Sequence, residues 1–403
     1  MNNAGQAASA EREIQKENVL TFSLIRGGPT YRLWQRLHLL RPPLGLVSRR
    51  IFYIPMIAWL PLAILVEVTG RGLPSAAMPF LLDFELHVRF LIALPLLIAG
   101  EVYNELYLRN SIRQFPERKI VAPEDLPRFN AVLSSTYALR DSVWPEGTFL
   151  ALVYTVGPFL TIAGKPNASS WSARVASDGI HYTSAGLWWV LVSIPLFQFI
   201  LLRWFWRLAL WYQLLFRLWR MPLHLNIYHP DKAGGLGFLA ATPKAFWPVL
   251  LAISSLFASV IGNRVWHFGE KFNEFRMYGG AVVVLLLLLV LLPLLIFGTQ
   301  LERAKRLALR EFGVLASAYV NEFRQRWVRD GLPQTEGLLG TPDLQSLADL
   351  GNSFFFIRDM NYIPFSKNTV VATAVIIMLP AIPLALTMVP FEQIMGFVAK
   401  ALF

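Results

Sequence analysis

GGAVVVLLLLLVLLPLLIFG, Gly279–Gly298, runs for twenty residues without one charged or hydrogen-bonding side chain. As an α-helix rising 1.5 Å per residue it is about 30 Å long, the thickness of a bilayer hydrocarbon core. A helix apolar on every face has no solvated side, so its surroundings are lipid or protein interior. Its reading decides the fold: the chain crosses a membrane.

Working outward, six other segments share this character. Seven spans are expected, at Ile51–Thr69, Glu85–Leu106, Thr148–Ala163, Ala185–Leu202, Ala245–Gly262, Met277–Gly298 and Thr369–Val389. The third is the shortest. The whole composition agrees: 55% of the 403 residues are apolar and 16% charged, with a mean hydropathy of +0.46. Soluble domains average roughly 45–50% and about 25%. The expected fold is therefore an all-α polytopic membrane helix bundle.

Lysine and arginine set the expected orientation. With the amino terminus inside, the inner segments hold 29 of the 37 Lys and Arg and the outer segments 7. The positive-inside rule then places the amino end in the cytoplasm and the carboxyl end outside, as in a bacterial inner membrane. The net charge of +11 is explained by this asymmetry and by contact with anionic lipid, so nucleic acid is not an expected partner.

The organisation follows. Residues 1–50 form a cytoplasmic amino-terminal segment, in which SLIRGGPTYRLWQRLHLLRPP (Ser23–Pro43) spaces Arg, Leu and Trp as a basic amphipathic stretch lying on the membrane surface. Residues 51–298 hold six spans with cytoplasmic inserts at 109–144 and 203–244. Residues 299–368 form a cytoplasmic helical region, and 369–403 the last span and an outer interfacial tail. Helical spacing continues past the fourth span in RLALWYQLLFRLWR and past the sixth in LERAKRLALREFGV, so two spans are expected to extend into the cytoplasm. Their apolar stripes need a partner, which makes a homo-oligomer the expected assembly. In the inserts, Pro123, Glu124 and Asp125 mark one helix start; Thr341, Pro342 and Asp343 mark another, with Gly351 as its stop.

Chemistry-bearing residues are few. There is no cysteine, which excludes disulfides, thiol nucleophiles and Cys-ligated metals. No catalytic motif of the zinc-protease, serine-hydrolase or P-loop type occurs, and no cofactor or metal site is read from the spacing. Two groups of candidates remain. The second span carries Glu85, His87, Arg89 and Glu101; ionisable groups at membrane depth are costly and mark functional cavities. Glu85 and Arg89, four apart, are spaced to pair, as are Asp83 and His87. Arg89 and Glu101, twelve apart, belong near opposite interfaces.

The second group is HPDKAGGLGF, His229–Phe238, between two apolar segments. Successive glycine amides beside a lysine form an anion-accepting nest, which makes His229, Asp231, Lys232, Gly234, Gly235 and Gly237 anion-binding candidates. The alternative is a tight connection, with positive φ at the glycines and Asp231 capping the turn. The functional expectation is a channel or transporter for ions or small solutes. Two others are kept: a membrane enzyme acting on a phosphorylated lipid or isoprenoid, and a scaffold subunit whose mark would be an apolar patch on the cytoplasmic helices.

Overall fold

The computed structural model describes residues 21–69, 79–157, 171–176, 179–329 and 342–386. Among them, six helices are long and apolar enough to cross a membrane: α2 (Val47–Val68), α3 (Phe84–Glu117), α6 (Ser184–Trp219), α7 (Leu236–Phe268), α8 (Phe272–Leu295) and α11 (Lys367–Leu384). The protein is an all-α, multi-pass membrane helix bundle. The helices outside these spans are α1 (Pro29–Arg36), α4 (Leu126–Asp141), α5 (Val143–Thr155), α9 (Gly298–Arg324) and α10 (Pro342–Arg358). One hairpin, β1 (Ala173–Ala176) with β2 (Gly179–Tyr182), pairs Ala173 with Tyr182.

The third expected span corresponds to α5, and its remaining residues lie outside the described ones. Its described neighbours still fix its course. Glu146, in the first turn of α5, bonds Arg203, deep in α6. Tyr154 at the other end bonds the Leu191 carbonyl near the start of α6, so the two helices are antiparallel. Trp171 then donates to Asp83, which caps the start of α3. Glu146 and Trp171 thus stand toward opposite ends of the bundle.

Helix α3 forms the spine. It begins at an Asp83 cap and runs 34 residues, about 51 Å at the helical rise. Helix α7 lies antiparallel beside it: Asn263 accepts from the Phe84 amide at 2.9 Å, and Phe238 meets Phe115 edge-on at 5.1 Å. Gly100 makes the close packing with α6 and α7 possible, because a Cβ there would stand 2.9 Å from the Trp204 ring and 3.5 Å from Pro248. Helix α7 starts nine residues before the expected Ala245, with an eleven-residue 3-10 segment, Leu236–Phe246, so Gly237 and Phe238 are helical rather than loop. Pro243 and Pro248, which donate no amide, sit across the change from 3-10 to α geometry.

Two of the three described π-turns precede proline. Val88–Ala93 in α3 is followed by Pro95, and Trp189–Ser193 in α6 by Pro195. Proline lacks the N–H of the regular ladder and crowds the preceding turn, which favours this local widening.

Three expectations need correction. The amino-terminal stretch does not lie along a surface for its whole length: Phe22, Ser23, Leu24 and Ile25 are buried in the bundle, because the cavity they fill is walled by apolar and hydrogen-bonding groups of α3 and α4. Gly351 does not stop its helix; α10 runs through it to Arg358, since the exposed glycine costs less than the packing of Ile357 and Phe354 on α9 contributes. The sixth span does not run on unbroken either, for a turn at Ile296 and Phe297 separates α8 from α9. The fourth does run on, as α6, for 36 residues. The outer tail, and Thr341, lie outside the described residues.

Candidate functional site

Glu101 is the centre of the site. It sits on the buried face of α3, where Arg50 of α2 and Arg207 of α6 reach it from two sides; Arg207 Nη2 donates at 2.8 Å, and Arg50 Nη1 donates to the other oxygen. One turn before Arg207, Arg203 Nε donates to Glu146 at 3.1 Å. Arg50 is 0% exposed, and Glu101, Arg203 and Arg207 are all buried. An ionic layer therefore ties α2, α3, α5 and α6 at one end of the bundle. The two guanidiniums and the carboxylate compensate one another, and removing any one leaves the others without compensation.

The amino-terminal segment closes this layer. Gly28 begins α1, and Thr30 in its first turn donates to Glu146 from its amide at 2.8 Å and its hydroxyl at 2.6 Å. Trp34, one turn on, lies between Arg50 and Arg203, whose guanidinium carbons are 4.8 and 5.3 Å from its ring centroid. Before α1, Ser23 donates to Glu105, which also receives Arg26 at 2.8 Å and pairs with Arg109. Arg140 Nη1 donates to the Ser23 carbonyl at 2.7 Å. Burial beside this strap pushes the Tyr137 hydroxyl up to about 12, although Arg140 and Arg109 pull the other way.

The ion pairs are arranged twice over. Arg50 is the fourth residue of α2 and Glu146 the fourth of α5. Each helix is followed by a long one with a π-turn, a proline and then the partner charge: Glu101 in α3, Arg203 in α6. The charges are exchanged between the two pairs, and the Glu101–Arg207 bond joins them.

The other second-span candidates are placed elsewhere. Glu85 and Arg89 pair with each other near the opposite end, and Arg89 also lies 5.9 Å from the Phe197 ring centroid. His87 accepts from Trp59 Nε1 at 3.0 Å and faces the Phe80 carbonyl at 3.1 Å. Its ring does not pair with the Asp83 carboxylate, which instead caps α3 and receives Trp171 at 3.1 Å and Asn263 at 3.1 Å. Glu101 thus stands apart from Glu85, His87 and Arg89, as the twelve-residue separation from Arg89 requires.

In HPDKAGGLGF, Asp231 collects the amides. Its carboxylate accepts from Ala233 at 2.9 Å, Gly235 at 3.1 Å and Gly237 at 2.9 Å. His229 Nδ1 stands 3.0 Å from the same carboxylate, and Arg118 3.7 Å. Burial by itself would raise the Asp231 carboxyl; the three amides and His229 outweigh it and hold it below the usual carboxylate value. Gly234 and Gly235 have φ of 62° and 93°, the left-handed region, and so does Lys232 at 54°. The Lys232 carbonyl accepts from the Asn361 amide at 2.7 Å and its Nζ lies 3.5 Å from Asp359. The loop thus bolts the ends of α3 and α10 to the start of α7, and an outside anion at these amides would have to displace Asp231.

Among the described residues, no three His, Asp or Glu side chains converge as a metal site. No family model, curated protein or solved structure matches the chain.

Sequence reading found Glu101 but missed Arg50, Arg203, Arg207, Glu146 and Trp34. A signal existed for part of this: Arg203 and Arg207, four apart, share one face at the end of an apolar run. Nothing in the chain order says which carboxylate they meet.

Proposed function

We propose that the protein is a channel or transporter moving ions or small solutes across the membrane. The observation that carries this reading is the buried layer Arg50–Glu101–Arg207 with Arg203–Glu146, built by two like helix pairs. Transporters made of repeated units place their sites at the junction between repeats. The core beside the layer is tight: the gap between Trp204, Phe246, Leu250 and Val290 is about 10 Å³, room for one water. The reading therefore takes this arrangement as an occluded state, closed at one end by the Trp34 strap. Purified protein reconstituted in liposomes tests it. Wild type should dissipate an imposed gradient of at least one of potassium, proton or chloride, and Glu101→Gln should reduce that flux at least tenfold. Absence of flux for every ion, with the protein correctly folded and inserted, would reject transport.

A second reading, a scaffold subunit of a membrane assembly, rests on a separate observation. Leu307, Val314 and Leu315 of α9 and Phe355 and Phe356 of α10 are exposed although they lie beyond the spans. In either reading these residues serve contact with another copy, and anionic lipid lies against the basic end. Val314→Glu with Leu315→Glu should lower the mass in detergent to that of one chain; an unchanged mass rejects this contact.

A further inference from the structure

The ionic layer is short of both negative charge and hydrogen-bond acceptors. Among the described residues, Arg50, Arg203 and Arg207 face only Glu101 and Glu146; next to them Arg26 and Arg109 face Glu105. Each group carries one more guanidinium than carboxylate. Arg50 has no solvent exposure, yet among the described residues its Nε and Nη2 have no hydrogen-bond partner. The Trp34 face beside it supplies an attractive π surface but no lone pair to accept an N–H. Asn104 lies one turn beyond Glu101 on the same buried face, is also unexposed, and has neither its oxygen nor its nitrogen bonded among the described residues. Buried polar groups are rarely left so, and two of them flank an uncompensated positive charge. A water would accept a hydrogen bond but leave the charge; a small anion answers both needs.

We infer that the Arg50–Arg207 layer binds one small monovalent inorganic anion of chloride or nitrate size, held by the free N–H groups of Arg50 and by the Asn104 amide and covered by Trp34. Size follows from enclosure: Arg50 and Asn104 are both 0% exposed, which favours a small ion over a phosphorylated headgroup. The inference deepens the transport reading by naming the ion, and it rests on that reading only for the claim that the ion moves.

The test is thermal unfolding of the full chain in detergent, with sodium chloride exchanged for sodium gluconate at constant ionic strength and sodium phosphate as a further arm. Wild type should gain stability saturably with chloride, because a ligand bound only by the folded state stabilises it. Arg50→Lys keeps the charge opposite Glu101 but loses the forked donors; half-saturation should rise at least tenfold. If that variant fails to fold, Asn104→Leu, which replaces an unbonded amide by an apolar side chain of like volume, should fold and weaken chloride at least threefold. No saturable chloride effect on wild type, or wild-type saturation in the variant that folds, overturns the inference; a preference for phosphate overturns the size class. Flux in liposomes separates the two claims. Chloride binding with no flux of any ion upholds the anion site and rejects transport, whereas cation flux without chloride binding upholds transport and rejects the site.

Discussion

Glu101→Ala is the perturbation with the largest expected consequence. The carboxylate is 2% exposed and accepts from two guanidiniums, Arg50 and Arg207, themselves 0% and 5% exposed. Removing it leaves two buried cations facing Arg203 with only Glu146 nearby. Loss of one member of a buried pair costs about 3–5 kcal/mol. Here two pairs break at once, and water penetration through the Thr30–Trp34 strap offsets part of the loss, so the expected destabilisation is about 4 kcal/mol. Glu117→Ala is the control. Its partner Arg113 stands 3.2 Å away on the same helix, but both side chains are more than one-third exposed. Such a pair contributes ~0.3–0.5 kcal/mol at most. Equilibrium unfolding by sodium dodecyl sulfate in mixed micelles reads both values on one scale. Replacing the set together, as Arg50→Met, Glu101→Leu and Arg207→Met, should recover most of the stability lost in Glu101→Ala, since no uncompensated charge remains. If Glu101→Ala costs no more than Glu117→Ala, the layer is solvated and the electrostatic reasoning fails. If the triple replacement is worse than the single, shape rather than charge holds the layer.

Asp231→Ala should cost about 1–3 kcal/mol at pH 7, the usual penalty for leaving buried donors unpaired, because three amides lose their acceptor. The Asp231 carboxyl is lowered on folding, so its stabilisation is present above the ordinary carboxylate range, near pH 4, and lost as pH falls below it; a wild-type acid limb that persists unchanged in Asp231→Ala would contradict this. Gly100→Leu should unfold the protein or displace α6, since the Trp204 ring is buried and bonded to the Leu97 carbonyl at 2.9 Å; near-native thermal stability of that variant would show that the helices are less closely packed. For topology, single cysteines at Lys232 and Lys271, introduced into a chain that has none, should label from opposite sides of the membrane, Lys232 from the cytoplasm; labelling from one side would overturn the expected orientation.

The sequence by itself determined the class of protein and six of the expected spans. These follow from local averages: twenty apolar residues in a row require lipid whatever they pack against. It also reached the far extension of α6, the helical turn Pro123–Asp125 that leads into α4 and the Glu85–Arg89 pair, because each depends on residues within one or two helical turns. Tertiary structure decided the rest. Arg50 and Glu101 are 51 residues apart, Glu146 and Arg203 57, and only helix packing brings them together. Gly235 and Gly237 read as a nest or as a turn, and the choice lay in where the Asp231 carboxylate pointed. The amino-terminal segment looked amphipathic, which states that one face is apolar but not what covers it; burial of Phe22–Ile25 under Arg140 and against Glu105 supplied the answer. A charge in an apolar run announces that a partner must exist. Which partner it finds is a matter of distance in space, and spacing along the chain carries no record of that.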